Sequence, residues 1–467
     1  MISVTESTHF DVIVVGGGNA GLCAAMAAAD NQKSVLLLER APEEWRGGNS
    51  KYTRDIRVCQ KPDEFASGSY EEQEFFDDLL KVTGGETNKD LARTTIHESS
   101  KVPSWMQNHG VTWQKSLRGT LQLSRTNRFF IGGGKTLINT YYEHSRKSGI
   151  KIAYDSRVED IEIGDDNSFK SILVNNGVSK LRYTSDSLVV AAGGFEANLE
   201  WHRKYWNGAA DNFVVRGSRF NDGTVLKVLM DREAKIVGDP RQFHAIALDG
   251  RSPKFEGGII TRIDSIPFSI VVNKFAKRFY DEGEDLWPKR YAIWGKLIAE
   301  QADQIAYSVF DCKSLGTFLP TMFPPYKANS IPDLAKLIGL EPSSLDETVK
   351  SYNQHVVDGG KFNPKALDEC ETRGLTPAKS HWALRIDTPP FYAYPLRPGI
   401  TFTYMGVAVD SSARVLGKSN KPFENLYAAG EIMAGNILTR GYLAGFGLTI
   451  GTVFGIKAGE MAAVSRK

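Results

Sequence analysis

The chain has 467 residues, of which 41% are hydrophobic, and its 57 basic side chains nearly balance 55 acidic ones. This length favours two domains, and the hydrophobic fraction is large enough to fill their cores. The balanced charge provides no basic field, which argues against nucleic acid or an anionic membrane surface as the main partner.

The cysteines and the ends of the chain carry no targeting or metal signal. The four cysteines are Cys23, Cys59, Cys312 and Cys370. They are far apart and form no C-x-x-C pair of the kind that binds zinc or haem. Residues 1–10 lack the series of charged, apolar and small residues of a signal peptide, so we expect a cytoplasmic protein. The most apolar stretch, 441–455, is interrupted by glycines, so we predict a packed helix there and no transmembrane segment.

Residues 11–21, DVIVVGGGNAG, carry the fingerprint of a βαβ dinucleotide-binding unit. An apolar strand leads into Gly16 and Gly18, which allow a tight turn and the close approach of a pyrophosphate, and Gly21 lets the next helix pack on the strand. A glycine motif of this kind is weak evidence when it stands alone.

The surrounding sequence completes the unit. The alanine-rich segment 22–29 predicts the helix whose N-terminal amides face the phosphates. The next apolar strand, 34–38, ends in Glu39, about twenty residues after the turn, where a carboxylate accepts both ribose hydroxyls. The complete context predicts a bound adenine dinucleotide.

Further elements follow in chain order. The turn 46–50, RGGNS, is either a plain loop or a segment along the flavin side of a dinucleotide. Residues 71–108 are predicted to be helical, and 132–135 precede a helix over 136–147 with one apolar face. Three segments alternate like the strands of a small sheet: 151–154, 157–163 and 171–174.

The strand-then-glycine pattern recurs near residues 193 and 430, which predicts one sheet that presents three loops to a single extended ligand. From about residue 241 to 398 the βα rhythm disappears, and we interpret this stretch as an inserted domain. The first domain then resumes with strands at 406–409 and 425–429 and a last helix over about 447–464.

With these motifs, the chain resembles the flavoprotein family of fumarate reductase and succinate dehydrogenase over essentially its full length. The resemblance implies an α/β fold, with a Rossmann-like FAD-binding domain of the glutathione-reductase type over 1–241 and 399–467 and an inserted α+β capping domain over 242–398. It also implies FAD as the cofactor. The implied FAD contacts are Gly16, Gly18, Asn19, Ala20, Glu39, Arg40, Gly47, Gly48, Asn49, Ser50, Val158, Ala192, Gly193, Gly430, Glu431, Gly445, Gly447 and Leu448.

The chain departs from the family at three places. Covalent members carry a flavin-linking histidine, but no histidine lies between His9 and His97, so we expect noncovalent FAD. Soluble fumarate reductases have a histidine and an arginine where this chain has Phe402 and Tyr442, which makes fumarate reduction as such less expected. Tyr442 instead resembles the catalytic tyrosine of ketosteroid dehydrogenases. Segment 430–445 resembles the branch of tricarballylate dehydrogenases, which oxidise a tricarboxylate to cis-aconitate.

Dehydrogenation beside a carboxylate needs a base and an electrophile in addition to the flavin. The resemblance assigns a substrate contact to His244, although such a histidine alone is more often structural. Residues 277–282 match a Lys-Arg-Phe-x-x-Glu motif that precedes the proton-passing arginine of the family. The candidate here is Arg290, which could equally be a surface charge, with Glu282 or Asp285 as a carboxylate relay.

A tricarboxylate substrate also needs cations in bidentate geometry, for which arginine is suited. Arg440 is the leading candidate for this anion clamp. Weaker candidates are Arg125, Arg128, Arg241 and Arg397. The glycine-rich start of the last helix, 445–447, is expected to place backbone amides near the flavin pyrimidine.

Three functions remain open. The first is dehydrogenation or reduction of a small polycarboxylate such as tricarballylate, with electrons exchanged with an external acceptor or a partner redox protein. The second is the same chemistry on a ring ketone or secondary metabolite, in a pocket lined by Tyr442, Phe402, Tyr404 and the aromatic segment 318–326. The third is a flavin-bearing interaction subunit without substrate chemistry of its own.

Overall fold

The structure is a computed structural model that describes residues 5–116, 123–206 and 208–464. The chain folds as two compact units. Unit 1 consists of Met1–Asn198, Gly217–Phe243 and Phe402–Lys467, and unit 2 of Leu199–Arg216 and His244–Thr401. These boundaries differ from the expected 242 and 398 by a few residues. Unit 2 also takes in 199–216, which the sequence pattern had left in the first domain.

Unit 1 combines strands and helices from three separate parts of the chain. Its strands are β1 (Thr5–Val15), β2 (Val35–Leu38), β3 (Asp55–Arg57), β4 (Asn127–Phe129), β5 (Lys151–Ala153), β6 (Arg157–Ile163), β7 (Phe169–Asn175), β8 (Lys180–Val190), β10 (Ile236–Val237), β16 (Gly406–Val407), β17 (Arg414–Leu416) and β18 (Pro422–Ala428). Its helices are α1 (Asn19–Asp30), α2 (Glu72–Thr83), α3 (Lys89–Ser99), α4 (Val102–Asn108), α5 (Gly133–Lys147), α7 (Thr224–Asp231), α12 (Glu431–Ala434) and α13 (Phe446–Val464).

The main sheet has the strand order β17-β18-β8-β1-β2-β5, and β18, β8, β1, β2 and β5 run parallel. Residues 12–15 and 35–38 are all buried, as expected for strands covered on both faces. Because parallel strands end at the same edge, the turns after β1, β2, β8 and β18 share that edge of the sheet. The three glycine loops predicted from the sequence are among them.

The predicted small sheet over 151–174 is not separate. β5 extends the parallel sheet beyond β2, and β6 and β7 form an antiparallel pair that joins it through β8. The antiparallel pair joins the main sheet because β8 is long enough to pair with two different strands along the same side. Its first half pairs with β7, as in Ile172 with Tyr183, and its second half pairs with β18, as in Leu188 with Leu426.

The apolar C-terminal segment is the packed helix predicted from its glycines. In α13, Gly455 and Gly459 lie so close to α1 that added Cβ atoms would meet the carbonyl oxygens of Ala20 and Ala24. Glycine is needed there because two helix backbones approach closely. Among the described residues, no helix is both long and apolar enough to cross a membrane.

Unit 2 contains a second sheet with the strand order β11-β15-β13-β12, in which β9 and β14 also pair with β15. Its strands are β9 (Val214–Val215), β11 (Phe243–Asp249), β12 (Ile270–Asn273), β13 (Ala306–Asp311), β14 (Tyr326–Ala328) and β15 (Phe391–Thr403), the first residue of β11 and the last two of β15 belonging to unit 1. Its helices are α6 (Leu199–Trp206), α8 (Trp287–Arg290), α9 (Trp294–Ala299), α10 (Ile331–Ile338) and α11 (Pro342–His355).

The sheet of unit 2 has a hydrophobic core on each face. Val309 packs with residues of α10 and α11, whereas its neighbour Phe310 packs with Trp294 of α9. Successive side chains of a strand point to opposite faces, so both faces of this sheet are covered. α10 is capped at both ends. Ser330 Oγ accepts from the amide of Asp333 at 3.2 Å at its start, and Gly339, with a φ of 72°, ends the helix.

Candidate functional site

The turn after β1 has the features of a phosphate-binding turn. Gly16 adopts a φ of 105°, and a Cβ on Gly18 would find its nearest neighbour, Ser50 Oγ, at 3.5 Å. α1 begins at Asn19 with no acidic residue in its first turn, and the Asn19 amide donates to Ser50 Oγ at 3.0 Å. The first turn of α1 therefore has no acidic residue of its own, which leaves its positive end suited to an anion.

Glu39 lies directly after β2, where the ribose acid is expected. Its carboxylate is buried and accepts from the amides of Gly17 at 3.1 Å and Ala41 at 2.8 Å. The hydroxyl of Tyr142, in α5, donates to the same group at 3.4 Å. Burial raises the pKa of Glu39, while these hydrogen bonds oppose the rise. The local sequence contained no signal for Tyr142, because α5 reaches this point only through packing.

The turn 47–50 is held in place by a later segment of unit 1. Asn49 Oδ1 accepts from the amide of Ser218 at 2.7 Å, and Asn49 Nδ2 donates to Glu196. Gly47 adopts a φ of 97°, and its Cβ would lie 2.7 Å from Ile138 of α5. The turn is therefore specified by tertiary contacts in addition to its glycines.

Glu196 and Glu431 form a buried carboxyl pair between the loops that follow β8 and β18. Glu431 Oε1 accepts from the Thr403 amide at 2.7 Å and from Thr403 Oγ1 at 3.0 Å. The Glu196 carboxyl lies close by, and its charge acts on Glu431. A Cβ on Gly194 would collide with Thr403 Oγ1 and Glu431 Oε1 and lie 2.8 Å from Glu196 Oε2, so these oxygens converge on a glycine.

Burial and mutual repulsion set the charge of this carboxyl pair, because two ionised carboxylates in one buried site destabilise each other. Burial raises the pKa of Glu196 to about 7. Burial, followed by the charge of Glu196, raises the pKa of Glu431 well above its ordinary value. The pair therefore carries at most one negative charge near neutral pH. The sequence had predicted Glu431 but missed Glu196, whose only local signal was its position two residues after the glycine pair 193–194.

An aromatic cluster in unit 1 contains Tyr442, which lies between α12 and α13, and Phe402 and Tyr404, which lie at the end of β15. The Tyr442 hydroxyl accepts from the Gly447 amide at 3.3 Å. The Phe402 ring lies 5.9 Å from that of Tyr442 and 6.0 Å from that of Tyr404. Tyr404 in turn donates from its hydroxyl to the Gly441 carbonyl. The cluster fixes the Tyr442 ring near the start of α13.

Arg440, the leading candidate for the anion clamp, is engaged by the protein itself. Its Nε donates to the Thr83 carbonyl at 2.9 Å, its Nη2 lies 3.3 Å from Glu86, and 48% of its side chain is exposed. These contacts favour a structural role for Arg440. The weaker candidates are also engaged: Arg125 with Glu74, Arg128 with Asp63, Arg241 with Asp239, and Arg397 with the carbonyl oxygens of Asp303 and Gln304.

The other predicted FAD contacts lie at separate points of unit 1. A Cβ on Gly430 would lie 2.7 Å from that of Ala20, and Asn19 Nδ2 donates to the Leu448 carbonyl at 3.4 Å. The start of α1 therefore contacts both the loop after β18 and the first turn of α13. Three further predicted contacts lie elsewhere: Arg40 pairs with Asp222, Val158 pairs with Val174 in β6 and β7, and Gly445 turns beside Asp55 and Asn127. Ala192 precedes Gly193, which adopts a φ of 75° beside Asn221.

In unit 2, His244 is buried in β11 and meets the edge of Tyr291, with ring centroids 6.4 Å apart. Burial, followed by the charge of Arg216, holds the pKa of His244 well below 6.5. His244 is therefore neutral at physiological pH. The guanidinium of Arg262 lies over the same tyrosine ring, 5.4 Å from its centroid, and pairs with Asp264 at 2.7 Å.

The buried Nε atoms of Arg262 and Arg290, both in unit 2, have no hydrogen-bond partner among the residues that the structure describes. A buried N–H group without a partner is costly, so it marks a place where a ligand oxygen would be stabilised. Arg290 pairs with Glu284. The predicted partner Glu282 is instead buried against Arg278, with Nη2 and Oε2 2.5 Å apart, and accepts from the Val271 amide at 2.8 Å.

This assignment corrects the expected carboxylate relay. Glu282 is unsuited to it because Arg278, four residues earlier, and Lys379, 4.0 Å away, already surround its carboxylate. Asp285, the second candidate, accepts from the Leu286 amide at 2.7 Å. The acid in contact with Arg290 is Glu284, which sequence reasoning did not consider.

The sequence from residue 11 to residue 448 matches the family model of an FAD-binding domain. The chain belongs to this family. FAD is therefore its cofactor, and the residues of unit 1 fit that group: a glycine turn, a helix start without acids, and a buried acid after the second strand.

Relatives with described activities match nearly all of the chain. An NADH:fumarate oxidoreductase of Klebsiella pneumoniae is 28% identical over 97% of this chain and 48% of its own length. A probable fumarate reductase of Shewanella frigidimarina is 28% identical over 99% of this chain and 76% of its own. A urocanate reductase of Eggerthella lenta is 24% identical over 98% and 75%. The chain thus spans only about half the length of the Klebsiella relative.

Solved structures show the same fold. An open flavocytochrome c3 fumarate reductase superposes with a TM-score of 0.77 at 24% identity, over 98% of this chain and 78% of its own. A 3-ketosteroid Δ4-(5α)-dehydrogenase of Rhodococcus jostii superposes with a TM-score of 0.74 at 20% identity, over 99% and 98%.

Proposed function

We propose that this protein is an FAD-dependent oxidoreductase that forms or reduces a carbon–carbon double bond beside a carboxylate. The proposed substrate class is a small polycarboxylate, with tricarballylate as the leading candidate because segment 430–445 resembles the dehydrogenases of that compound. Three relatives are named for the reduction of fumarate, acrylate and urocanate, each of which carries a carboxylate conjugated with a double bond. Electrons would pass to or from an external redox partner.

The observation that carries the proposal is the arrangement of Arg262 and His244 about Tyr291. A guanidinium with a buried, unpartnered Nε–H lies over one tyrosine ring, and a neutral histidine lies against the edge of the same ring. Charge-assisted hydrogen bonds from arginine are suited to carboxylate oxygens. A neutral imidazole donates or accepts one hydrogen bond without adding charge.

Each of these side chains then has a role. When bound, FAD supplies the hydride acceptor or donor. Arg262 would hold a substrate carboxylate, and His244 would hydrogen-bond to the carboxylate next to the reacting carbon. Arg290 would exchange the proton of that carbon, with Glu284 as the carboxylate that returns it, because a guanidinium by itself stays protonated. Tyr442 keeps its place as a predicted contact and is held by Gly447, whereas the bonds of Arg440 to Thr83 and Glu86 favour a structural role for that arginine.

The test is anaerobic mixing of the purified holoprotein with tricarballylate, succinate and citrate, and separately with steroid enones, while the flavin absorbance is followed. Arg262→Lys should lower kcat/KM for the best carboxylate by roughly tenfold or more, because it removes the planar fork. The matched control is Arg251→Lys. Arg251 also pairs with an aspartate, Asp249, at 2.6 Å and also stacks on an aromatic ring. Equal activity of both variants would contradict the role of Arg262.

The aromatic cluster Phe402–Tyr404–Tyr442 favours a second candidate, oxidoreduction of a ring ketone. One relative, from Eggerthella lenta, is a digoxin reductase that is 23% identical over 97% of this chain and 87% of its own length. A flavin that responds to steroid enones and to no carboxylate would support this second function. Tyr442→Phe should then abolish turnover, since its hydroxyl is the group that resembles the catalytic tyrosine of ketosteroid dehydrogenases.

A further inference from the structure

Three helix C-termini converge at one place on unit 1. Asp30 is the last residue of α1, His109 follows the last residue of α4, and His144 lies in the last turn of α5. The C-terminal end of a helix carries a partial negative charge from its unpaired carbonyl groups. The convergence therefore favours a cation, and the side chains present there are a carboxylate and two imidazoles.

The hydrogen bonds of His109 fix which of its nitrogens carries a proton. Its Nδ1 lies 2.8 Å from the Trp105 carbonyl oxygen, which only accepts, so Nδ1 is the donor. In the neutral ring, Nε2 then presents a lone pair. That nitrogen lies 3.0 Å from Asp30 Oδ2, a second acceptor. Two acceptors at this distance need a cation or a proton between them.

His144 completes the cluster. Its ring centroid lies 4.8 Å from that of His109, and the ligand atoms of all three side chains lie within 4.8 Å of one another. The neighbouring cation, Lys147, is paired with Glu143 at 2.6 Å. The carboxylate of Asp30 is half exposed, so an ion has access from solvent.

We propose that Asp30, His109 and His144 form a binding site for a divalent transition-metal ion, with Zn²⁺ as the expected occupant. Two imidazole nitrogens and one carboxylate oxygen are ligands that zinc prefers, with water in the remaining position. The hydrogen bond from His109 to the Trp105 carbonyl is the second-shell contact that orients a ligating histidine. Zinc ligand atoms lie about 3.3 Å apart at its usual bond lengths, so binding would draw these three side chains, whose ligand atoms lie within 4.8 Å of one another, closer together.

The site would stabilise the fold and take no part in the redox chemistry. α1 has 12 residues, so the site lies about 18 Å along the helix from the phosphate turn at its other end. A bound ion would tie the C-terminal ends of α1, α4 and α5 together. Because it binds only the folded state, it should raise Tm in proportion to the logarithm of its concentration.

The experiment uses the full holoprotein, stripped of metals with a chelator and dialysed. Zn²⁺ is titrated calorimetrically into the wild type, Asp30→Asn and His144→Asn. The control is His97→Asn, since His97 also pairs with a carboxylate, Glu72, at 2.9 Å but has no second histidine in its cluster. We expect one site in the wild type and in the control. Its affinity should fall by at least about tenfold in the other two variants, the loss that even outer partners of a ligand cause.

Retained FAD and circular dichroism establish that each variant is folded. The proposal is overturned if all four proteins bind Zn²⁺ equally, or if the wild type neither binds Zn²⁺ nor gains thermal stability from it. In the second case His109 is an imidazolium paired with Asp30. These readouts do not depend on turnover, so they are separate from the tests of the proposed function.

Discussion

Replacing Glu196 by glutamine should remove a pH dependence of stability that comes from the Glu196–Glu431 pair. In the wild type, burial raises the pKa of Glu196 from 4.5 to about 7. A carboxyl whose pKa is raised by folding favours the folded state fully below its unfolded pKa. That contribution is then lost as the pH rises from about 4.5 to about 7.

The change in the pKa of Glu196 sets the size of the effect. A change from 4.5 to about 7 corresponds to roughly 3 kcal/mol between the two ends of this pH window. A glutamine at position 196 has no such titration. Its amide oxygen still accepts from Asn49 Nδ2, so the packing is preserved.

The assay is the free energy of unfolding in urea at pH 5 and pH 8, at a fixed excess of FAD. The wild type should lose about 2–3 kcal/mol more stability between these values than Glu196→Gln, since part of the full loss falls below pH 5. The control is Glu424→Gln, which changes an exposed glutamate on β18, the strand that leads to Glu431. The infrared band of a protonated carboxyl should also decrease between pH 5 and pH 8 in the wild type only. Identical pH profiles for the wild type and Glu196→Gln would refute the raised pKa of Glu196.

Four further outcomes are expected. Acid precipitation should release the flavin into the supernatant, and a yellow pellet would contradict noncovalent binding. Glu39→Ala should weaken FAD binding by about 1–3 kcal/mol, the cost of leaving buried polar groups unpaired. His244→Ala should lower turnover more than it lowers FAD affinity. Because the pKa of His244 is held well below 6.5, the pH profile of the wild-type kcat/KM should show no ionisation of His244 between pH 6 and 8. Gly194→Ala should reduce the FAD content of purified protein, since its Cβ would collide with the Thr403 and Glu431 oxygens. Arg440→Lys should lower Tm through the lost Thr83 contact and leave kcat/KM nearly unchanged; a large loss of kcat/KM at unchanged Tm would restore the anion clamp.

The sequence by itself determined the dinucleotide unit. Three local signals predicted it: the apolar run of β1, the glycines of the turn and the alanines of α1. Each signal lies within a short stretch of consecutive residues. Glu39 could be placed for the same reason, since the strand that carries it follows directly. The last helix was predicted to begin at about 447 and begins at Phe446. Such elements are predictable because neighbours in sequence decide their conformation.

Only the tertiary structure decided which charged groups meet. Glu196 and Glu431 are 235 residues apart in sequence, yet the charge of Glu196 acts on Glu431 because β8 and β18 are adjacent in the sheet. Arg440 contacts Glu86, and Arg290 contacts Glu284 in place of the expected Glu282. The partner of a long charged side chain depends on the packing of distant segments, and residue spacing carries little information about it.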